Sequence, residues 1–180
     1  MTEKEDYAII LDYLPYGYPV AGGRMTPIAQ AIGEKSLSLL ELVPRRGINL
    51  AVKEKVYIGP DNRDKIYFIA GRLSKEKLTE AAKIQLQEHI EMVVAEQEKK
   101  FLDFFNHAQA INTRMHQLEL LPGFGKKHTE EVLKAREEKE FSSFDDIKER
   151  VKNMPDPKKA IEKRLLEELT ERQRFYLFVK

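Results

Sequence analysis

The chain has 180 residues, enough for one ordinary domain or two small ones, and its 31 basic and 30 acidic side chains leave a formal charge of +1. This balance excludes a histone-like polycation held on its partner by bulk charge. The absence of cysteine excludes disulfide frameworks, cysteine-ligated zinc, iron–sulfur clusters and cysteine nucleophiles. A hydrophobic fraction of 42% suffices for a core. No signal peptide or apolar run of roughly 18 residues is evident, so we expect a cytoplasmic protein with no membrane partner.

The first third of the chain is predicted to be β structure. Apolar runs rich in aromatic and β-branched residues, bounded by turn-forming residues, indicate strands. Four are predicted: Tyr7–Leu14, Ser36–Val43, Lys55–Gly59 and Lys65–Ala70. The intervening sequence GPDNRD is rich in turn formers, which predicts that the last two strands form a hairpin.

A long segment, residues 15–35, separates the first two predicted strands. It contains four glycines and three prolines, and a segment of this length in a compact domain is usually functional or partly helical. Tyr16 and Tyr18 could stack on bases and Arg24 could contact phosphate, so all three are candidate nucleic-acid contacts.

Residues 7–72 carry nine basic and six acidic side chains, a local difference of +3. Arg45 and Arg46 follow the second strand and are candidate phosphate contacts, although an ordinary solvated pair explains them equally well.

From Ser74 the pattern becomes helical. Ser74 is a candidate N-cap, and neither Gly nor Pro recurs until residue 122. Apolar residues at helical spacing predict an amphipathic stretch over residues 78–105, with breaks near Gln85 and near Asn106.

The last seven residues, Arg174–Lys180 (RFYLFVK), are predicted to form a strand. A lone strand needs a pairing partner, so we expect it to return to the N-terminal sheet as a fifth strand. Five short strands with a long loop favour an OB-like small barrel, a fold that often binds nucleic acid.

Two segments offset by 33 residues resemble each other: residues 121–133 (LPGFGKKHTEEVL) and residues 154–166 (MPDPKKAIEKRLL). Each begins with an apolar residue and Pro, continues through a turn and ends in an amphipathic helix. A helix Arg114–Leu120 is predicted before the first, and Ser142 or Ser143 is predicted to cap a helix before the second. Both units are therefore predicted to be helix, short hairpin, helix.

The first hairpin has the composition of a phosphate site. Gly123 and Gly125 can adopt positive φ and let a ligand approach the backbone. The helix beginning near Lys126 presents unpaired N–H groups and the positive end of its dipole. The run LPGFGKK resembles the hairpin of a helix-hairpin-helix motif, and the pair resembles a tandem helix-hairpin-helix domain. This resemblance implies that Leu121 and Phe124 pack the hairpin and that the nucleic-acid backbone is contacted by Gly123, Gly125, Lys126 and Lys127.

Two other interpretations of the first hairpin stay open. It could be only a tight connection between packed helices, or part of a protein-dimer interface, which tandem helix-hairpin-helix domains also form. The second hairpin has no glycine pair and carries Asp156 at its tip. Its candidate contacts are Lys158 and Lys159, and a purely structural role is the alternative.

No residue pattern supports catalysis, a metal or a cofactor. The four histidines have no metal-ligand spacing with carboxylates, and no phosphate-binding or nucleophile-elbow motif occurs. His116, before the first hairpin, is predicted to pack or cap. We therefore expect no catalytic residue, no metal ion and no cofactor.

The whole chain resembles an archaeal family known as domain of unknown function 655 and described as predicted RNA- or nucleotide-binding. The resemblance is carried by Val56–Gly59 with Arg63 and Lys65, Gly71–Leu73, Phe104–Asn106, His116–Lys127, Phe141–Val151, Asp156–Pro157 and Tyr176–Val179. It implies an α+β protein with a barrel-like domain, a connector and a tandem helix-hairpin-helix domain. We place these at residues 1–73 with 174–180, residues 74–111 and residues 112–173.

These observations predict a non-enzymatic protein that binds the backbone of nucleic acid without sequence specificity. The preference for RNA over DNA, and a role in translation or RNA processing, rest on the family resemblance. The first alternative is an interaction scaffold for a ribosomal, polymerase or nuclease partner. The second is an enzyme acting on nucleic acid, which would need converging carboxylates such as those of Asp12, Glu34, Asp61 or Asp64.

Overall fold

The structure is a computed structural model that describes residues 4–19 and 25–179. The chain is an α+β protein that divides into two compact units. Unit 1 comprises residues 1–88 and 169–180, and unit 2 comprises residues 89–168. None of the helices within the described ranges is long and apolar enough to cross a membrane.

Unit 1 contains a curled five-stranded antiparallel half-barrel. The strands are β1 (Tyr7–Leu14), β2 (Ile28–Gly33), β3 (Leu39–Pro44), β4 (Lys55–Tyr57) and β5 (Ile66–Arg72). Their order in the sheet is β4-β1-β2-β3-β5. The alternating apolar residues of the strands meet in a core that includes Ala8, Ile10, Leu42, Val56 and Ile66. The first predicted strand is confirmed with its bounds, and the other three are confirmed with shifted ends.

The predicted hairpin between the third and fourth strands is wrong. The corresponding strands are β4 and β5, which lie at opposite edges of the sheet. β4 pairs with β1, and β5 pairs with β3. Turn-forming residues show where a chain reverses, but tertiary packing decides which strands then pair.

The sequence prediction missed β2, which lies within the long segment that separates the first two predicted strands. Five of its six residues are buried, because β2 is the central strand of the sheet and its side chains are covered on both faces. A strand covered on both faces loses the alternation of apolar and polar residues that identifies a strand. Its two alanines and one glutamine also give little β propensity.

The predicted C-terminal strand is wrong over its described residues, 174–179, which form bends and irregular structure. The alternation of aromatic and β-branched side chains fits a pleated surface, but it does not supply the ladder of hydrogen bonds that defines a strand. The fifth strand of the sheet is β2 instead.

A short 3₁₀ turn, Lys75–Lys77, follows Ser74 and leads to α1 (Glu80–Glu96) and α2 (Glu98–His107). The helical stretch is confirmed, but its internal break falls at Gln97 rather than near Gln85. Thr79 caps α1, since its hydroxyl accepts a hydrogen bond from the Ala82 N–H at 3.0 Å.

Unit 2 continues with a 3₁₀ turn, Gln117–Leu120, followed by α3 (Lys126–Glu138), α4 (Phe144–Arg150) and α5 (Pro157–Thr170). The predicted helix Arg114–Leu120 is therefore shorter than expected. Ser143 caps α4 as predicted, because its hydroxyl accepts the Asp146 N–H at 2.9 Å. Two connections matter below: the glycine loop, residues 121–125 before α3, and the aspartate loop, residues 151–156 before α5.

Candidate nucleic-acid interface

The glycine loop is a tight turn fixed by two buried side chains. Leu121 and Phe124 are 1% and 6% exposed, which confirms that they pack the loop. The Phe124 N–H donates to the Leu121 carbonyl at 3.0 Å. Gly123 has a φ of +83°, and a Cβ there would lie 3.0 Å from the Pro155 ring. The turn therefore requires glycine at position 123.

Gly125 has a different role, because its φ of −102° is open to any residue. A Cβ built on it would meet no atom of residues 4–19 and 25–179 within 4 Å. It is the N-cap of α3 and has no side chain that could accept hydrogen bonds from the first turn. The N–H groups of Lys126 and Lys127 have no acceptor within the helix. The start of α3 therefore presents free donors and the positive end of a helix dipole to open space.

His128 supports this turn, which the sequence analysis did not foresee. Its Nδ1 accepts the Gly125 N–H at 3.2 Å, and its Nε2 lies 3.2 Å from the Asn153 carbonyl oxygen. Both contacts are satisfied by the neutral ring with its proton on Nε2. Because Asn153 belongs to the aspartate loop, His128 joins the two loops. The only sequence signal for this role of His128 is its place at the third position of the helix, from which a side chain can reach back to the N-cap N–H.

Lys126 and Lys127 are the cations nearest to these donors. Both side chains are exposed, and neither takes part in an ion pair within residues 4–19 and 25–179. The predicted phosphate contacts Gly123, Gly125, Lys126 and Lys127 thus lie within one turn of the chain, two of them with uncommitted positive charge.

The aspartate loop has a related backbone but carries its own anion. Asn153 takes a left-handed conformation with a φ of +59°, as Gly123 does in the glycine loop. Asp156 caps α5, because its carboxylate accepts the Lys159 N–H at 3.1 Å and the Lys158 N–H. The Lys148 ammonium lies 3.3 Å from the same carboxylate. Burial raises the pKa of Asp156, but these donors outweigh it and leave the pKa below its usual range.

The capping residues correct the register of the repeat. The N-caps Gly125 and Asp156 are 31 positions apart, and the left-handed residues Gly123 and Asn153 are 30 apart. The offset of 33 residues aligned residue types that are similar but do not occupy equivalent positions in the two loops. Lys158 is half-buried and Lys159 is exposed, and their N–H groups already bond to Asp156.

A buried ion pair holds the entrance to the glycine loop. Arg164 of α5 donates from Nε to Glu168 at 3.0 Å and from Nη1 to the Leu120 carbonyl at 3.3 Å. Both side chains are nearly inaccessible. Leu120 ends the 3₁₀ turn before the loop, so α5 fixes where the loop begins. Sequence inspection missed Arg164, since a charged residue on a helix usually lies on a solvated face.

His116 caps the same 3₁₀ turn, as predicted. Its Nδ1 accepts the Leu118 N–H at 3.1 Å, and its own N–H donates to the Glu119 carboxylate at 2.6 Å. Burial lowers the pKa of His116, and the nearby Arg136 guanidinium lowers it further, partly opposed by Glu119.

The remaining predicted contacts belong to unit 1. Tyr16 is 72% exposed, so its ring is open to a ligand. Tyr18 is half-buried: its hydroxyl donates to Glu41 at 2.9 Å and accepts from Gln30 at 3.1 Å. Burial raises the pKa of Tyr18 to about 12, and its hydroxyl belongs to a structural network. Arg24 lies outside the described residues.

The two candidate arginines after β3 differ. Arg45 donates from Nε to the Arg63 carbonyl at 2.7 Å, and its N–H donates to the Lys65 carbonyl at 2.8 Å. It therefore holds the segment that leads into β5. Arg46 is exposed. The predicted contacts thus form two groups, one in each unit.

Three of the four carboxylates named for an enzymatic alternative, all except Asp64, are each engaged with a different partner. Asp12 accepts the Thr79 hydroxyl at 2.6 Å, Glu34 pairs with Lys55 at 2.9 Å, and Asp61 accepts the Tyr57 hydroxyl at 3.2 Å. Within the described ranges, no group of three or more His, Asp or Glu side chains is placed to hold a metal ion.

Comparison with known proteins gives relatives of nearly the full length. A family model described as Protein of unknown function (DUF655) matches residues 4–180. An uncharacterized protein of Methanocaldococcus jannaschii is 42% identical over 179 residues, which cover 98% of this chain and 80% of that protein. The crystal structure of Af1531 from Archaeoglobus fulgidus, described with the same family model, has a TM-score of 0.83 and 43% identity. The match covers 98% of this chain and 100% of that one.

Proposed function

The chain belongs to the DUF655 family, as its sequence resemblance indicated, and because that family is of unknown function we propose a role from the site geometry. The proposed role is that of a non-enzymatic protein that binds nucleic acid, RNA in preference to DNA, through the backbone phosphates. The glycine loop is the proposed contact, and translation or RNA processing is the proposed setting.

One observation carries the proposal: the start of α3 is uncapped, open and positively charged. Its first N–H groups have no acceptor in the helix. In the part of the chain that the structure describes, no atom lies within 4 Å of the position that a Gly125 Cβ would take. Exposed Lys126 and Lys127 flank it. A helix N-terminus of this kind attracts phosphate through its donors and its dipole. The contact would be independent of sequence, since backbone donors meet phosphate rather than base edges.

The fixed position of the loop supports the proposal. Leu121 and Phe124 anchor it in the core of unit 2, and Arg164 holds its entrance. Donors held in place lose little conformational entropy when a ligand binds. We further propose that the two loops with their flanking helices form a tandem helix-hairpin-helix, in which the glycine loop binds and the aspartate loop supports it.

The half-barrel of unit 1 favours single-stranded nucleic acid as the ligand. We propose that it is OB-like, since OB-folds are five-stranded, partly open barrels that bind oligonucleotides. Tyr67 and Phe68 of the edge strand β5 are 64% and 45% exposed, and exposed rings can stack on unpaired bases. Single-stranded regions with accessible bases are the usual targets of RNA-binding proteins.

The test of the proposal gives the glycine loop the N-cap residue that the aspartate loop has. Gly125→Asp places a carboxylate at the N-cap, where the aspartate loop already has one, and the open space leaves room for it. We expect the variant to gain about a few tenths of a kcal/mol in stability from the new cap and to lose RNA affinity. Lys126→Glu should weaken binding to all sequences alike and reduce the salt slope by about 1. Binding is measured by fluorescence anisotropy with single-stranded RNA, structured RNA and duplex DNA at several salt concentrations.

Two matched variants serve as controls. Gly125→Ala adds a side chain without charge, and Lys163→Glu reverses an exposed charge on α5. Both should bind RNA nearly as well as the natural chain. The proposal fails if the natural chain does not bind RNA, or if Gly125→Asp binds as tightly as Gly125→Ala.

A scaffold role has one observation in its favour. β5 is an edge strand with exposed Tyr67 and Phe68, and an exposed edge can accept a strand from a partner such as a ribosomal or transcription protein. Tyr67→Ser with Phe68→Ser would then abolish protein capture in nuclease-treated extract, while Lys126→Glu would leave it unchanged.

A further inference from the structure

Unit 1 has a polar cleft at the open side of the half-barrel. The edge strands β4 and β5 are not paired with each other in the described sheet. A cleft of about 410 Å³ lies between the residues that follow β4 and the outer end of β5. Leu40, Ile58 and Ile69 form its apolar wall. Its volume is in the range of pockets that hold small ligands, about 300 to 1,000 Å³.

A β-bulge directs an arginine onto the inner face of the sheet beside this cleft. Leu42 pairs with Ile69 and Leu40 pairs with Arg72, so β5 has one residue more than β3 in this interval. Residues paired across antiparallel strands share a face. Leu40 and Leu42 belong to the core of the sheet, so Arg72 lies on the same face of the sheet as Ile69, at its end, where the arginine is exposed. In a regular strand, residues three apart would lie on opposite faces. Bulges that redirect a side chain are frequent next to functional sites.

The cleft has unbalanced positive charge. Its charged side chains are those of Lys4, Arg63 and Arg72 against Glu5, a formal excess of two. The Glu5 carboxylate already accepts hydrogen bonds from the Lys35 N–H and from the N–H and hydroxyl of Ser36. It is therefore a poor partner for either arginine.

The two guanidinium groups retain most of their donors. Arg63 donates from Nε to the Gly59 carbonyl at 2.8 Å. Arg72 forms no ion pair or side-chain hydrogen bond within residues 4–19 and 25–179. Two arginines that line one cleft and lack a carboxylate partner indicate that the anion comes from outside the protein.

We propose that this cleft binds the phosphate group of a nucleotide. The planar guanidinium fork matches the oxygens of a phosphate, which favours phosphate over a smaller anion. The aliphatic wall accommodates the apolar face of a base, and the Ser38 hydroxyl, 2.8 Å from that of Ser36, lies among the lining groups that face the sugar. The nucleotide is either a free mononucleotide or the phosphorylated end of a nucleic-acid chain. The cleft is separate from the glycine loop, so this inference does not depend on the proposed function.

The competing explanation of Arg72 is protection of a sheet edge. A charge that points inward on an edge strand discourages pairing with another copy of the chain. Under that explanation Arg72→Gln would make the protein self-associate, and no nucleotide would bind the cleft. Light scattering on the natural chain and on the variant measures the self-association.

The experiment is calorimetric titration of the full chain with adenosine 5′-monophosphate, inorganic phosphate and adenosine. We expect the mononucleotide to bind more tightly than either fragment. Arg72→Gln should weaken that binding at least tenfold, and Arg72→Lys, which keeps the charge but not the fork, should weaken it less. Arg114→Gln, an exposed arginine outside the cleft, should leave it unchanged.

Two RNA oligomers of one sequence, with and without a 5′-phosphate, show whether the ligand is a free mononucleotide or the phosphorylated end of a nucleic-acid chain. Tighter binding of the phosphorylated oligomer that depends on Arg72 supports the inference with a chain end as the ligand, even if the free mononucleotide binds weakly. The inference is overturned if neither the mononucleotide nor the phosphorylated oligomer binds, if Arg72→Gln binds both as the natural chain does, or if inorganic phosphate binds as tightly as the mononucleotide. Loss of mononucleotide binding in Lys126→Glu but not in Arg72→Gln would place the ligand at the glycine loop and would also overturn the inference.

Discussion

The glycine loop and the aspartate loop have related backbone turns, but they differ in the charge and the free hydrogen-bond donors at the start of the helix that follows. Each reverses the chain through a left-handed residue, Gly123 or Asn153, and each leads into a helix. At the aspartate loop, the donors at the start of α5 are satisfied by Asp156 and its charge is balanced by Lys148. At the glycine loop, Gly125 has no side chain to accept from the first N–H groups of α3. The two helix starts differ in the N-cap residue and in the first helical residue, since Pro157 of α5 has no N–H where α3 has that of Lys126.

The comparison also separates conformational from electrostatic uses of glycine. Gly123 is needed for its backbone angle and for the close approach of Pro155. Gly125 is needed for neither, because its backbone angles are ordinary and the surrounding space is open. Any residue would fit at position 125. A side chain there that accepts hydrogen bonds would block access to the first N–H groups of the helix, and glycine leaves them accessible.

The largest expected effect comes from removing the buried ion pair at the entrance of the glycine loop. Arg164→Met removes the guanidinium that donates to the buried Glu168 carboxylate and to the Leu120 carbonyl. We expect a loss of about 3 to 5 kcal/mol in the free energy of unfolding, the usual result when one partner of a buried pair is removed. Urea denaturation measures it.

The control for that prediction is the double variant Arg164→Met with Glu168→Leu. Replacing a buried pair by apolar residues of similar size is often neutral, so stability should largely return. An Arg164→Met protein as stable as the natural chain would show that the pair does not hold the entrance of the glycine loop.

The left-handed residues give the second prediction. Gly123→Ala forces a side chain into a positive φ and against Pro155, and we expect a loss of about 1 to 2 kcal/mol in stability. Asn153→Gly should have a smaller effect, because asparagine and glycine both tolerate this conformation. Thermal unfolding of both variants measures the difference. Equal effects at the two positions would contradict the assignment of Gly123 as the residue that the turn requires.

The third prediction removes the internal anion. Asp156→Ala should cost about 1 kcal/mol of stability through the lost N-cap. The pKa of Asp156 is lowered, so its contribution is fully present above the unfolded value of about 3.9 and is lost as the pH falls through the folded value. Chemical denaturation at pH 7 and near pH 3 measures this. The loss from Asp156→Ala should shrink at the lower pH, and a constant loss would show that the carboxylate charge is not what stabilises the helix.

The sequence predicted what depends on local composition and missed what depends on the fold. The Gly-Phe-Gly-Lys-Lys run, the Ser143 cap and strand β1 follow from residues adjacent in the chain. β2 was missed because burial on both faces removes its alternation, and the partners of β4 and β5 were wrong because turn residues do not select pairing. The roles of Arg164 and His128 depend on contacts between residues 25 and 44 positions apart, and the face on which Arg72 lies depends on a bulge; no local pattern encodes them.

The smallest expected effect concerns the helical segments that enter the two loops. His116 caps the turn before the glycine loop, and Ser143 caps α4 before the aspartate loop; only the histidine titrates near neutral pH. Protonation converts the His116 Nδ1 from an acceptor to a donor, so it cannot keep the Leu118 N–H bond. Because burial lowers the pKa of His116, the folded protein binds its proton less readily than the unfolded chain. The contribution is therefore complete above the unfolded pKa of about 6.5 and declines as the pH falls below it.

Hydrogen exchange measures this difference at the Leu118 and Asp146 amides, one behind each cap. Between pH 7.5 and pH 5.5, after correction for the intrinsic exchange rate, protection should fall at Leu118 and stay constant at Asp146. His116→Asn supplies a cap that does not titrate and should remove the pH dependence at Leu118. If that variant retains it, or if NMR titration gives His116 a pKa above 6.5, the pH sensitivity arises elsewhere and the entrances of the two loops do not differ in this respect.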